Sequence, residues 1–275
     1  MELPYTPTRF STAAPELSLA KLEARALTKH FPAPDGQVVA LDGVDLDIRD
    51  GEFISVIGPS GCGKSTLLNL LAGLDAPTSG TIHLDGEPDP ALLGRLGYMP
   101  QKDLLMPWRN ILDNVILGLE TMGTPANQAR DAALDWFPLF GLEGFQRAYP
   151  SQLSGVMRQR AALLRTFLAG QEINLLDEPF GKLDSLTRIQ LQQWLLDFCS
   201  THRKTLLLIT HDIEEAIFLS NRVHVMSPRP GRLVYSTDIP EALPSRYEEA
   251  VVDPRFVDIK HRLLEALRPG MEGGQ

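Results

Sequence analysis

Cysteine is nearly absent from this 275-residue chain. Cys62 and Cys199 are the only two, too few for a disulfide framework or a four-cysteine zinc site. An excess of positive charge is missing as well. With 26 Lys and Arg against 35 Asp and Glu, the formal charge is −9, which disfavours a protein that coats nucleic acid or a membrane through a basic surface. No apolar run approaches the roughly 18 residues of a membrane-spanning helix, so no span is expected. The opening MELPYTPTRF lacks a basic segment followed by an apolar one, so it does not read as a leader and the chain is expected to be cytoplasmic. No repeat with a period of about 20 to 50 residues is visible. What remains is of ordinary globular composition, 43% hydrophobic and 22% charged, and is long enough for a sizeable core.

Residues 1–20 are rich in Pro, Ser, Thr and Ala, without usable periodicity, and read as a loose tail. From 21 to about 240 the pattern is that of one domain. FISVI (Phe53 to Ile57), NLLD (Asn174 to Asp177) and TLLLIT (Thr205 to Thr210) are short apolar runs that predict buried strands. Each is followed by a helical pattern, the signature of a mostly parallel sheet. Between about 102 and 168 no strand is predicted. ILDNVILGLE, the segment around ALDWFPLF, and VMRQRAALLRTFLA instead space apolar residues by three and four, predicting an inserted helical subdomain. Residues 241–275 hold one amphipathic stretch, Phe256 to Leu267, before a terminus expected to fray.

The sharpest motif is GPSGCGKST, formed by Gly58, Pro59, Ser60, Gly61, Cys62, Gly63, Lys64, Ser65 and Thr66. A predicted strand precedes it and a helical pattern follows, the context that makes G-x-x-x-x-G-K-[ST] a phosphate loop. Gly58, Gly61 and Gly63 allow backbone N–H groups to point at phosphate oxygens, and the helix beginning near Lys64 adds its positive dipole end. Lys64 supplies a point charge, and Ser65 a hydroxyl ligand for Mg²⁺. Downstream, INLLDEPF places Asp177 and Glu178 where a buried strand meets Pro179. Two carboxylates at a strand end beside a phosphate loop suit phosphoryl transfer, Asp177 toward Mg²⁺ and Glu178 as general base for an attacking water.

LSGVMRQR (Leu153 to Arg160), taken with the phosphate loop, INLLDEPF and LLLITHD, resembles the ATPase subunits of ATP-binding cassette transporters. The likeness covers about residues 21–240. It implies a P-loop NTPase core of α/β class, with an antiparallel N-terminal β region beside the mostly parallel sheet. It also implies a head-to-tail dimer, expected to be of two identical chains, with ATP between one subunit's phosphate loop and Ser154, Gly155 and Val156 of the other. By the same likeness Gln101 in YMPQKD senses Mg²⁺ and the permease, His211 is the switch histidine near the γ-phosphate, and Asp184 links the two sites. Apart from the other motifs, Gln101 reads as an ordinary loop amide and His211 as a helix cap. Phe31 lies where the family keeps an aromatic that stacks on adenine, with core packing as its rival. QKDLLMPWRNILDNVILGLE and HDIEEAIFLSNRVHVMSPRPGR are similar to the nitrate, taurine and alkanesulfonate importers and to relatives for thiamine pyrimidine precursors. That branch implies a separate transmembrane permease docked near Pro107 and Trp108, a substrate-binding protein beyond it, residence on the inner face of the membrane, and no nucleic-acid partner.

Three residues depart from the pattern. Val156 replaces a glycine of the signature segment, where a branched Cβ resists unusual φ and crowds close approach. Lys182 stands where alanine is usual, and Asn174 puts an amide into a strand expected to be apolar, needing hydrogen-bond partners there. Val156 leaves one other reading to weigh, a low-turnover nucleotide-binding regulatory module; a second, a soluble cassette protein of translation or DNA repair, is disfavoured by the single cassette and the charge of −9.

Overall fold

The structure, a computed structural model, describes residues 20–34, 36–88, 91–181 and 183–268. The expected loose segment up to residue 19, the frayed end from residue 269 and Lys182 lie outside the described residues. Strands β1 (Leu22–Ala33) and β2 (Gly36–Ile48) pair antiparallel, with mixed buried and exposed positions. β3 (Phe53–Ile57) is buried at every position and runs into the phosphate loop and α1 (Lys64–Leu71). β4 (Ser79–Leu84) and β5 (Glu87–Pro88) complete a four-stranded antiparallel sheet in the order β2-β1-β4-β5, and β6 (Gly97–Met99) enters a second sheet.

Helices then follow: α2 (Ile111–Val115), α3 (Leu117–Thr121), α4 (Ala126–Leu134) and α5 (Gly155–Leu168). The remainder is β7 (Ile173–Asp177), α6 (Ser185–His202), β8 (Thr205–Thr210), α7 (Ile213–Leu219), β9 (Arg222–Met226), β10 (Leu233–Asp238), α8 (Tyr247–Ala250) and α9 (Pro254–Leu267). ALDWFPLF differs from the helical expectation. α4 stops at Leu134, and the chain turns from Asp135 to Gly141 because Pro138 cannot continue a helix. Phe137 and Phe140 are buried all the same, so apolar spacing marked core positions without marking a helix. ILDNVILGLE likewise divides into two short helices at Ile116.

The second sheet has the order β10-β9-β3-β8-β7-β6; only the β10–β9 pair is antiparallel. Alternate residues of β3 enter separate cores. Phe53 and Ile57 join the packing of α2 and α5 to α7, while Ile54 and Val56 join α1 and the antiparallel sheet. Because β6, β7, β8 and β3 are parallel neighbours, their C-terminal ends open on one rim. Met99 pairs with Leu176, Asp177 with Ile209, and Thr210 with Ile57. Ligands in open α/β sheets bind outside such ends.

Candidate active site

Four strand ends deliver the site. After β3 the chain wraps from Gly58 through Pro59, Ser60, Gly61 and Cys62 to Gly63, which precedes α1 with φ of 110°. A Cβ on Gly63 would lie 2.8 Å from Leu41 Cδ2 and 2.9 Å from the Ala40 carbonyl, so both the conformation and the space there require glycine. Lys64, only 7% exposed, turns its ammonium back into the loop, donating to the Gly58 carbonyl at 2.7 Å and the Pro59 carbonyl at 3.1 Å. Thr66 is half-buried one residue beyond Ser65, and Cys62 is buried beneath the loop, where desolvation raises its thiol pKa.

Asp177 ends β7, buried, with Ser65 beside its carboxyl. Burial pushes its carboxyl above the ordinary range; the Ser65 hydroxyl and the Lys64 charge oppose this, while the neighbouring Glu178 charge adds to it. Glu178 then turns the chain at φ of 46°, a left-handed value costly for a residue with a Cβ. Its N–H still donates to the Ile209 carbonyl at 2.8 Å, so the turn begins while the backbone remains tied to β8. The turn sends the side chain across the rim. Gln101 Nε2, just past β6, donates to Glu178 Oε2 at 2.9 Å, and His211 Nδ1, just past β8, lies 3.3 Å from Glu178 Oε1.

The remaining predicted residues are not joined to this cluster. Phe31 sits in β1 opposite Val38, two residues from the Ala40 that meets Gly63; it is 38% exposed, with Lys29 Nζ 5.0 Å from its ring centroid. Ser154 caps α5, its hydroxyl accepting from the Met157 N–H at 3.3 Å; Gly155 and Val156 open the helix. Val156 therefore has ordinary helical φ and packs half-buried on the core. Asp184 caps α6 by accepting from the Thr187 N–H at 3.1 Å. Among the described residues no hydrogen bond or ion pair ties Ser154, Gly155, Val156 or Asp184 to Lys64, Glu178 or His211. Trp108 is 73% exposed, so core packing does not account for it.

The donor set suits magnesium. Ser65 and Asp177 lie side by side, Gln101 keeps an amide oxygen beyond its bond to Glu178, and no cluster of three or more His, Cys, Asp or Glu occurs among the described residues. A hydroxyl, one carboxylate and an amide oxygen beside a phosphate cradle match an ion held by few protein oxygens plus phosphates and water.

Residues 41–181 match the family model described as ABC transporter. The nitrate import ATP-binding protein NrtD of Synechococcus elongatus is 40% identical over 260 residues, 94% of each chain. The chain belongs to the ABC transporter ATPase family. The taurine import ATP-binding protein TauB of Burkholderia pseudomallei is 40% identical over 253 residues, covering 90% of this chain and 97% of that one. The dimeric, post-hydrolysis ATP-binding cassette MJ0796 bound to ADP and Pi superposes with a TM-score of 0.70 at 30% identity, over 80% of this chain and 99% of its own. As an ABC ATPase the chain binds ATP and hydrolyses it.

One feature of this ATPase went unread in the sequence. The turn after β9 presses on the phosphate loop: an Arg229 Nη2 donates to the Gly61 carbonyl at 3.2 Å, and the Gly231 N–H to the Ala40 carbonyl at 2.9 Å. A Cβ on Gly231 would collide with the Cys62 carbonyl. The run SPRPGR signals a turn, but nothing local in it says what the turn rests on.

Proposed function

We propose that the chain is the ATP-hydrolysing subunit of an importer, working as a head-to-tail homodimer on the inner face of the membrane beneath a separate permease that a binding protein supplies. The cargo is a small molecule of the nitrate, taurine or sulfonate, or thiamine-precursor class, a reading supported by the names of the nitrate and taurine relatives. The cassette comprises residues 21–240 with a helical insertion at about 102–168. The observation that carries the chemistry is Glu178, gripped by Gln101 and His211 at the rim beside the phosphate loop.

In this reading Lys64 and the N–H groups from Gly58 to Thr66 hold the phosphates. Ser65, Asp177 and Gln101 would hold magnesium, which would supply charge neutralisation to the phosphates. Glu178 accepts the proton of the attacking water, and His211 orients that carboxylate from the far side. Phe31 stacks on the adenine. Ser154, Gly155 and Val156 present the α5 N-terminus to the γ-phosphate in the other subunit, and Asp184 links the two sites. The ordinary helical backbone at Val156 supports real turnover over a purely regulatory module. Exposed Trp108, with Pro107, docks the permease.

Three variants test this in the chain co-purified with its permease. Glu178→Gln should retain ATP and trap an ATP-bound dimer while turnover drops by about 10²- to 10⁴-fold. Lys64→Ala should weaken nucleotide binding itself. Trp108→Ala should keep basal ATPase but lose permease association, a buried interface aromatic contributing about 2 kcal/mol or more. Near-normal turnover in Glu178→Gln would exclude Glu178 as the base.

A further inference from the structure

Two loops of the rim end in helix caps, and one side chain spans them. Asp184 caps α6 and Asp212, directly after His211, caps α7. Arg188, in the first turn of α6, donates from Nη2 to the Leu183 carbonyl at 3.2 Å and from Nη1 to Asp212 Oδ2 at 3.3 Å. The two Asp212 oxygens divide their work, since Oδ1 accepts from the Glu214 N–H at 3.0 Å and the Glu215 N–H at 3.2 Å. The ion pair is sheltered, with the Arg188 and Asp212 side chains 31% and 32% exposed, and Arg188 Nε is buried without a hydrogen-bond partner. Further along α6, Gln192 Nε2 donates to buried Glu215 Oε2 at 3.0 Å and closes α6 against α7.

A guanidinium is planar and holds its donors at fixed spacing, so a fork bonded to both loops sets the distance between them; an ammonium cannot do this. Both bonds sit at the long end of the hydrogen-bond range, which leaves room to tighten as the site closes. Neither bond touches the phosphate loop.

We propose that Arg188 is a positioning residue: through Asp212 it couples the segment bearing Asp184 to the segment bearing His211, and so seats His211 on Glu178. The proposal rests on the reading of Glu178 and His211 given above. It separates the placement of His211 from the binding of ATP, which depends on the strand and loop of Lys64.

Steady-state ATPase of the full chain, with nucleotide affinity measured alongside using a fluorescent ATP analogue, tests it in the variants Arg188→Ala, Arg188→Lys and Asp212→Asn. The asparagine keeps an oxygen to cap α7 and removes the charge facing Arg188. Arg188→Ala and Asp212→Asn should each lower kcat by about tenfold with KM and nucleotide affinity within about twofold of the parent, and the double variant should be no slower than Arg188→Ala alone. Arg188→Lys should remain well below the parent, since one ammonium does not span both acceptors. The proposal is overturned if Arg188→Ala turns over within about twofold of the parent, or if the two losses multiply. It is equally overturned if kcat, nucleotide affinity and thermal midpoint fall together and Arg188→Lys restores all three, the mark of a merely structural arginine. A parent chain no faster than Lys64→Ala would instead overturn the ATPase reading, and this proposal with it.

Discussion

Glu178 offers a test that separates the backbone's effect on stability from the side chain's part in turnover. Its φ of 46° lies in the left-handed region, where a residue with a Cβ is disfavoured by about 1 to 2 kcal/mol. The conformation is held by the N–H bond to Ile209, by the Gly181 N–H donating to the Glu178 carbonyl at 3.2 Å, and by the side-chain contacts with Gln101 and His211. Glu178→Ala and Glu178→Gly both remove the carboxylate and its two contacts, so comparing them isolates the backbone. At an ordinary strand or helix position alanine is favoured over glycine by roughly 0.5 to 1 kcal/mol, through the entropy glycine loses on folding. Here the left-handed penalty exceeds that loss, so Glu178→Gly should be the more stable variant by about 0.5 to 1 kcal/mol. For a chain of this size that is a difference of about 1 to 4 °C in thermal midpoint. Both should lose turnover by about 10²- to 10⁴-fold. Scanning calorimetry without nucleotide is the appropriate measurement, because ATP bound to the folded state would raise both midpoints. If Glu178→Ala melts at or above Glu178→Gly, the left-handed turn carries no strain and is not what aims this carboxylate.

Glu215 is buried with its carboxyl pKa raised to about 8, chiefly by desolvation, so the folded chain keeps a proton that the unfolded chain releases near 4.5. The stabilisation this provides is present below the unfolded value and is lost as pH rises through about 8. Urea midpoints at several pH values should therefore show Glu215→Gln gaining on the parent as pH increases; parallel curves would refute this. Asn174 in β7 has Nδ2 3.4 Å from the Gln171 carbonyl while its buried Oδ1 has no partner, so Asn174→Val should raise unfolding free energy by about 1 kcal/mol, and a lower urea midpoint would count against it. Val156→Gly should raise maximal turnover by about threefold to tenfold by relieving the branched Cβ at the α5 N-terminus, at some loss of helix stability. A rate at or below the parent would mean that valine is accommodated without penalty.

The alternation of short apolar runs with helical periods carried the parallel sheet, because β3, β7 and β8 are buried on both faces and have no polar alternation to disguise them. The phosphate loop and the Asp177–Glu178 pair were legible for the same reason: their residue types are demanded by contacts within a few positions. What was not legible depends on the meeting of distant segments. No local pattern announces that Glu178 adopts a left-handed φ, that Arg188 bridges two loops, or that Gly97 leaves space opposite Asn174 in the adjacent strand. In ALDWFPLF the proline outweighed the apolar spacing, which correctly marked burial and wrongly suggested regular structure.

The contact of the Gly231 turn with the phosphate loop bears on how the chain is made. β3 lies between β8 and β9, and the loop it delivers packs against Ala40 and Gly231, which are hydrogen-bonded to each other. Synthesis reaches Thr66 when 231 − 66 = 165 residues remain before Gly231. At roughly 5 to 20 residues per second, β3 and α1 wait about 8 to 33 seconds for that turn, and through most of the wait neither β8, which ends at Thr210, nor β9, which ends at Met226, has been made. During that interval the loop lacks the turn that packs on Cys62 and holds the Gly61 carbonyl through Arg229. A nascent chain halted before Gly231 should therefore bind nucleotide more weakly than the complete chain despite carrying the entire phosphate-loop motif, and one halted before Thr205 leaves apolar β3 with no neighbouring strand of its sheet.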